Sequence, residues 1–272
     1  MATSQSAKAD RFRALHQGPA FVIPNPWDAG SARILAGLGF QALATSSGGF
    51  AGTLGRRDGK VKREEALAHA RAVCAAVDIP VSADLENGFG DAPAVAAETV
   101  KLAAETGLVG CSIEDASGNR DKPLYDLGVA QERVAASVKA ARGVGFNFTL
   151  TARCEGFVRG VADLDEVIKR LKAYEAAGAD VLMAPGLPDL AAVKAVCQAV
   201  TKPVNFMAGI KGKSFSVPEL AAAGVTRISL ATSLYRAAMT ALVSAAKEVQ
   251  GGQLGYVDAV MTTPELNNYM EG

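Results

Sequence analysis

The chain is 272 residues long, with 49% apolar residues, 6% aromatic residues and 28 glycines. Such a chain suits one large α/β domain with a core of small and branched side chains. Its 28 Lys and Arg balance 28 Asp and Glu, so no basic excess exists to neutralise phosphates and no nucleic-acid partner is expected. No run approaches the roughly 18 apolar residues of a membrane span. The first 18 residues carry Lys8, Asp10, Arg11 and Arg13 where a signal peptide would have an apolar core. A cytoplasmic protein without membrane attachment is expected. Cys74, Cys111, Cys154 and Cys197 are far apart and form no CxxC pair, which suits small buried hydrophobes.

Short apolar, β-branched runs alternate with longer Ala-rich stretches of helical period. They predict strands over 20–23, 42–46, 81–86, 109–115, 148–154, 181–184, 204–207 and 227–230. Helices are predicted over 30–36, 63–77, 94–105, 130–141, 164–177, 190–199, 218–223 and 234–248. Gly107, Gly178 and Gly224 suit left-handed helix stops, and Asp163 and Ser216 suit N-caps. Eight such units within about 230 residues predict an α/β fold of one closed (β/α)8 TIM barrel. The barrel would be the catalytic domain, residues 1–250. A C-terminal helical tail, 251–272, carries Leu254, Tyr256, Val257, Val260 and Met261. It is expected to pack on a neighbouring subunit or back on its own barrel.

Barrel chemistry sits on the loops at the C-terminal ends of the strands. Two of those connections, 47–62 and 116–129, are long and rich in Gly and charge, as mobile covers are. Acids cluster at the same end. Asp84 and Glu86 close the third strand, Glu114 and Asp115 the fourth, Glu155 the fifth, and Asp58 lies on the first long loop. Strand alternation puts Asp84 and Glu86 on one face and turns Asp115 away from Glu114. Gathered carboxylates repel one another unless a cation sits among them. An oxygen-only set with no His or thiolate favours Mg2+ or Mn2+, so Asp84, Glu86, Asp58 and Glu114 form the candidate metal set. The competing reading of each acid is a helix cap or an ion pair with Lys or Arg. Arg153, on the fifth strand, needs an anionic partner, either a cluster carboxylate or that of a small organic acid. The TSSGG run (45–49) offers hydroxyls and backbone amides to the same anion. His16 and His69 fall outside the mouth and read as structural or solvated. Proton transfer would fall to a carboxylate, a metal-bound water, Tyr125 or Lys122, although an exposed lid contact suits the last two better.

TSSGG, LGRRD, SADLENGFGD, SIED, TARCEG and RISLATS, spread over residues 24–231, together resemble the isocitrate lyase/phosphoenolpyruvate mutase superfamily. The resemblance implies Mg2+ at Asp84, supported largely through waters by Asp58, Glu86 and Glu114. It also implies substrate contact by Arg153 and Asn205, carboxylate binding at Ser46, Ser47 and Gly48, and a homodimer or homotetramer with exchanged C-terminal helices. Members act on 2-oxo acids or their adducts through a metal-stabilised enolate of pyruvate. On this basis the catalytic candidates are Arg153, Asp58, Glu114 and Lys122.

The chain departs from the isocitrate and methylisocitrate lyases. Its strand-four loop, ASGNRDKPLYDLG, lacks the Cys and His of their Lys-Lys/Arg-Cys-Gly-His run. It has Asn205-Phe206-Met207-Ala208 in place of their Asn-x-Thr-Glu. The mutases carry a Lys and an Asn, Ser or Thr on that loop, and Asn119, Arg120 and Lys122 match them in displaced register. A phosphonomutase-like enzyme, or a C–C or P–C lyase or hydrolase, is the first expectation. The alternative is a 2-methylisocitrate-lyase-like or oxaloacetate-cleaving lyase without the usual Cys. A Schiff-base aldolase needs an inward lysine, and the predicted strands contain none. A degenerate barrel kept for binding or assembly would leave the acid cluster without a purpose.

Overall fold

The computed structural model describes residues 3–271. Helix α1 (Gln5–Leu15) precedes a ring of eight short parallel strands. These are β1 (Phe21–Ile23), β2 (Leu43–Ala44), β3 (Val81–Asp84), β4 (Gly110–Glu114), β5 (Thr149–Arg153), β6 (Val181–Met183), β7 (Val204–Met207) and β8 (Arg227–Ser229). They pair in the order β1-β8-β7-β6-β5-β4-β3-β2. Between β1 and β2 the ring is bridged by the Ala44 N–H, which donates to Pro24 O at 3.1 Å.

Parallel neighbours need crossover connections, and helices supply them. In order they are α2 (Ala29–Gly37), α3 (Ser47–Thr53), α4 (Arg63–Ala76), α5 (Pro93–Ala104), α6 (Leu127–Arg142), α7 (Leu164–Ala176), α8 (Leu190–Ala199) and α9 (Val217–Ala222). Helix α10 (Ser233–Gln250) follows the last strand. The fold is the (β/α)8 barrel that the alternating pattern predicts. Gly107, Gly178 and Gly224 take φ of +99°, +95° and +100°, a conformation that spares only glycine a Cβ clash. Asp163 and Ser216 cap α7 and α9.

Alternation along the strands separates two environments. On β5, Leu150 and Ala152 pack in the apolar shell beneath the helices, while Thr151 and Arg153 turn inward. The inward positions of β3, β4, β7 and β8 include Ser82, Asp84, Ser112, Asn205, Arg227 and Ser229. The barrel interior is therefore polar, and the apolar core is the shell outside it.

Four local features differ from expectation. Helix α1 buries only Ala9 and Phe12, too few to leave an apolar stripe in the sequence. Those two join Ile23, Ala42 and Val109 in a small cluster of their own. The first expected cover opens as α3, because the Ser46 Oγ accepts from Gly49 N at 3.2 Å and caps it. Strand β3 stops at Asp84, and Glu86 takes φ of +49°, so alternation no longer fixes its direction. The 116–129 segment begins as a small antiparallel excursion in which Ala116 bridges Leu124, and only its tip, 118–122, is exposed throughout.

The tail contains a 3-10 turn, Gly255–Ala259, and α11 (Thr263–Asn268). Its end returns to α2 of the same barrel, where Arg33 donates to Met270 O and the Tyr269 ring covers Gly37. None of the 18 residues of α10 is buried. Among the described residues no helix is long and apolar enough to cross a membrane, and all four cysteines are free.

Candidate active site

A cavity of about 250 Å³ lies at the C-terminal ends of the strands, and Ser46, Ser47, Gly48, Asp58, Asp84, Arg153 and Asn205 all line it. Larger depressions lie under the tail and around His16, away from the strand-end acids. Arg153, the last residue of β5, is the hub. Its Nη1 lies 3.2 Å from Asp84 Oδ1, its Nη2 contacts Glu114 Oε2, and its Nε lies 2.8 Å from Glu155 Oε1. The Nε pair has the distance of an ion pair without the alignment of a hydrogen bond. Arg159, half-exposed, adds its Nη2 at 3.2 Å from Glu114 Oε1 and its Nε at 3.4 Å from Glu155 Oε2.

The competing ion-pair reading of these acids thus holds for Asp84, Glu114 and Glu155, among which guanidinium groups sit. Burial disfavours the charge on Asp84, but Arg153 and the Ser47 hydroxyl outweigh it and hold Asp84 below the usual carboxylate range. Burial likewise opposes the charge on Arg153, and Asp84 and Glu155 more than offset that.

Glu86 is placed differently from the sequence expectation. It does not line the main cavity but a narrow adjoining cleft, which it shares with Asp84, Ser46, Ser47 and His69. Burial, then the nearby charges of Asp84 and Asp58, push Glu86 up to about 7. Ser47 Oγ donates to Asp84 Oδ2 at 2.9 Å, tying the first turn of α3 to β3. A Cβ on Gly48 would lie 2.8 Å from Thr232 Cγ2 and 3.1 Å from Asp58 Oδ2, so only glycine lets this turn approach the acids. The first N–H groups of a helix have no partner within it, which leaves the Ser47–Gly48 backbone suited to an anion. Asn205 is buried, accepting from Arg227 Nε at 2.8 Å and donating to Ser229 Oγ at 3.0 Å.

Other candidates fall outside the cavity. Lys122 is exposed and its Nζ meets Asp126 Oδ2 at 2.5 Å. The Tyr125 hydroxyl donates to Asp91 Oδ1 at 2.6 Å and accepts from Asn87 Nδ2 at 3.0 Å, so it braces the loop after β3. Asp115 points away from Glu114, as alternation predicts. It accepts from Tyr174 OH at 2.6 Å, Arg170 Nη1 at 3.1 Å and Glu155 N at 2.8 Å, so it anchors the ends of β4 and β5 to α7. His69 stacks on Phe50 and faces Trp27 O at 3.0 Å. Among the described residues no three His, Cys, Asp or Glu side chains are gathered as a ready metal cage. Sequence reasoning missed Arg159 and Arg227. The first stands four residues after Glu155, and the second lies inward on β8; both are signals of position alone.

The phosphoenolpyruvate phosphomutase family model matches residues 12–250. The chain belongs to this family. It is similar in structure to a Burkholderia cenocepacia J2315 protein described only as a lyase/mutase, with 50% identity, 98% of this chain and 97% of that one covered, and a TM-score of 0.96. Among curated relatives, the 2,3-dimethylmalate lyase of Eubacterium barkeri is 30% identical over 92% of this chain and 89% of that protein. The 2-methylisocitrate lyase of Escherichia coli K12 is 28% identical over 98% and 92%. The site described above thus belongs to a chain of the phosphoenolpyruvate mutase/isocitrate lyase superfamily, whose members include lyases and mutases.

Proposed function

We propose that this family member is a Mg2+- or Mn2+-dependent lyase that breaks a C–C bond of a small 2-oxo acid or its adduct. In a 2-oxo acid the bond one carbon beyond the carbonyl carbon breaks, the distal group leaves as an electrophile such as CO2, and the electron pair passes into an enolate of pyruvate. In a 2-hydroxy adduct the bond at the hydroxyl carbon breaks, the hydroxyl proton is lost as the pyruvate carbonyl forms, and the pair passes into the enolate of the departing carboxylic acid. The observation that carries this reading is Arg153, fixed by carboxylates in the same small cavity as the Ser47–Gly48 turn and Asp84. The donor set fits a hard cation. It is oxygen-only, and burial, then the charges of Asp84 and Asp58, push Glu86 up to about 7, a cost that added positive charge relieves. Asp84 would hold the ion, with Glu86, Asp58 and Glu114 supporting it. Once bound, the ion supplies Lewis-acid polarisation of the 2-oxo oxygen.

The chain's own groups do the rest. The Ser47–Gly48 amides orient the substrate carboxylate. The Arg153 guanidinium stabilises negative charge as it moves onto the enolate oxygen. Glu114 and Glu155 fix the plane of that guanidinium. C–C cleavage is favoured over P–C chemistry because Asn119, Arg120 and Lys122 are exposed at the loop tip and do not line the cavity. The similarity to two lyases of branched malate-type and isocitrate-type acids points the same way.

The test is a screen of oxaloacetate, phosphonopyruvate, 2-methylisocitrate and substituted malates for pyruvate formation in Mg2+ buffer. A C–C substrate should turn over, Asp84→Ala should abolish turnover, and oxalate, a mimic of enolpyruvate, should inhibit. Turnover of phosphonopyruvate alone would overturn the C–C assignment. The absence of any turnover, with no thermal shift from Mg2+ or oxalate, would favour a degenerate barrel.

Self-association is proposed on separate grounds. Helix α10 runs 18 residues without burying one, and Leu242 and Val243 are 60% and 52% exposed. A second copy of the chain would cover them, as in a homodimer or homotetramer. Light scattering should give a mass above that of one chain, and Leu242→Glu should lower it.

A further inference from the structure

Arg227 opens β8 and lies inside the barrel at 6% exposure, on the wall of the same cavity. All of its partners are neutral. Nε donates to Asn205 Oδ1 at 2.8 Å, Nη2 donates to Thr151 Oγ1 at 2.8 Å, and Nη1 lies 3.3 Å from His16 Nε2. The His16 Nδ1 lies 2.8 Å from Phe12 O, a geometry that puts its proton on Nδ1 and leaves Nε2 as a bare acceptor. Burial, then Arg227 itself, pushes His16 down to about 3, so it is uncharged beside the guanidinium.

The other inward and buried arginines are satisfied differently. Arg153 and Arg170 meet carboxylates. Arg133 is wrapped by the carbonyls of Asn87, Gly90 and Asp91 and lines no cavity described above. Arg227 alone combines deep burial, a position on the cavity and an uncompensated charge among the described residues, and burial pushes it down to about 9. A buried charge without an opposite partner is costly, and an anion entering the cavity would meet it.

The depth is suitable. Thr151, which receives Arg227, stands two residues before Arg153 on β5, which places the two levels roughly 6–7 Å apart at the usual strand rise. That spacing is comparable to the length of a four- or five-carbon acid. We propose that Arg227 receives the second carboxylate of the substrate, so that the cavity selects four- or five-carbon 2-oxo or 2-hydroxy dicarboxylates. The first carboxylate lies at the Ser47–Gly48 turn, and the second reaches inward past Arg153 to Arg227. This rests on the lyase reading above and names its substrate class.

Calorimetric titration in Mg2+ buffer with three probes tests it. Malate carries both carboxylates, 2-hydroxybutyrate has a methyl group in place of the distal one, and oxalate is too short to reach Arg227. The wild type should bind malate at least tenfold tighter than 2-hydroxybutyrate. Arg227→Gln should remove that preference while oxalate affinity changes less than threefold. Equal weakening of malate and oxalate in a folded Arg227→Gln would assign the residue a general structural role and overturn the proposal. If Arg227→Gln does not fold, Arg227→Lys decides: a preference reduced at least threefold supports the proposal, and an unchanged one overturns it. A wild type that binds oxalate without preferring malate overturns this inference and leaves the lyase reading standing. A wild type that binds none of the three overturns both.

Discussion

Replacing Arg153 with Met separates its structural charge from its bulk. The side chain is 13% exposed and faces Asp84, Glu114 and Glu155, which are 18%, 5% and 4% exposed. Removing one partner of a buried ion pair costs about 3–5 kcal/mol, because the other charge is left buried and unpaired. Arg159 remains beside Glu114 and Glu155 but is 46% exposed, so the lower end, about 3 kcal/mol at pH 7, is the expected loss. For a chain of this size that corresponds to a Tm lower by roughly 6–12 °C.

The pH dependence of the variant carries the sharper information. In Arg153→Met the stranded carboxyls titrate above their unfolded values. Their stability contribution is then full below the ordinary carboxylate range and is lost as pH rises. Wild-type Asp84 has the opposite sign. It is held low, so its contribution is present at neutral pH and lost as pH falls through its folded value. Urea midpoints followed by circular dichroism at pH 5, 6, 7 and 8, with EDTA present, should show the deficit of the variant shrinking toward pH 5. The slope has a ceiling of about 1.4 kcal/mol per pH unit for each coupled proton. A deficit below about 1 kcal/mol, or one equal at all four pH values, would refute the claim that these acids depend on the guanidinium.

Asp115→Asn should cost about 2 kcal/mol in the same assay, since it takes a buried carboxylate from Arg170, which keeps Glu166, and weakens the tie between the β4 and β5 ends; a loss under about 0.5 kcal/mol would contradict the anchoring role. Lys122→Ala should change stability by no more than about 0.5 kcal/mol, because its ion pair is exposed, and should leave turnover within twofold. A tenfold fall in turnover would return Lys122 to the catalytic set. His16, neutral in the folded chain down to about 3 against 6.5 unfolded, should withdraw stability as pH falls from about 6.5 toward 3, at up to about 1.4 kcal/mol per unit. His16→Gln should flatten that part of the urea-midpoint profile.

The barrel was legible because its signals are local and repeated. Alternating β-branched and Ala-rich runs, with glycines at 107, 178 and 224, mark eight units, the number that fits one closed ring. Helix α1 was not legible, since two buried residues, Ala9 and Phe12, leave no periodic trace. Helix α3 was hidden for a different reason. Two adjacent glycines oppose helix formation, and the turn is fixed there by the hydroxyl of Ser46 on Gly49 N and by that of Ser47 on Asp84.

The site divides along the same line. Which residues stand at the mouth follows from strand ends, so Asp84, Glu114 and Arg153 were found together. How their charges are balanced does not, because pairing depends on directions that the backbone sets. A left-handed φ at Glu86 turns it out of the series that Asp84 begins, and Arg153 faces both Glu114 and Glu155. Charge balance then argues for one more step. Arg153 offsets the acids on its own side, while Glu86 and Asp58 face Asp84 with no guanidinium paired to them. Any divalent cation that binds here is therefore drawn to the Asp84–Glu86 side, and Glu114, whose oxygens face Arg153 and Arg159, would support it through water. If Mg2+ protects Arg153→Met against urea more than it protects the wild type, the two cations share one set of acids. Equal protection would place the metal where Arg153 does not compete.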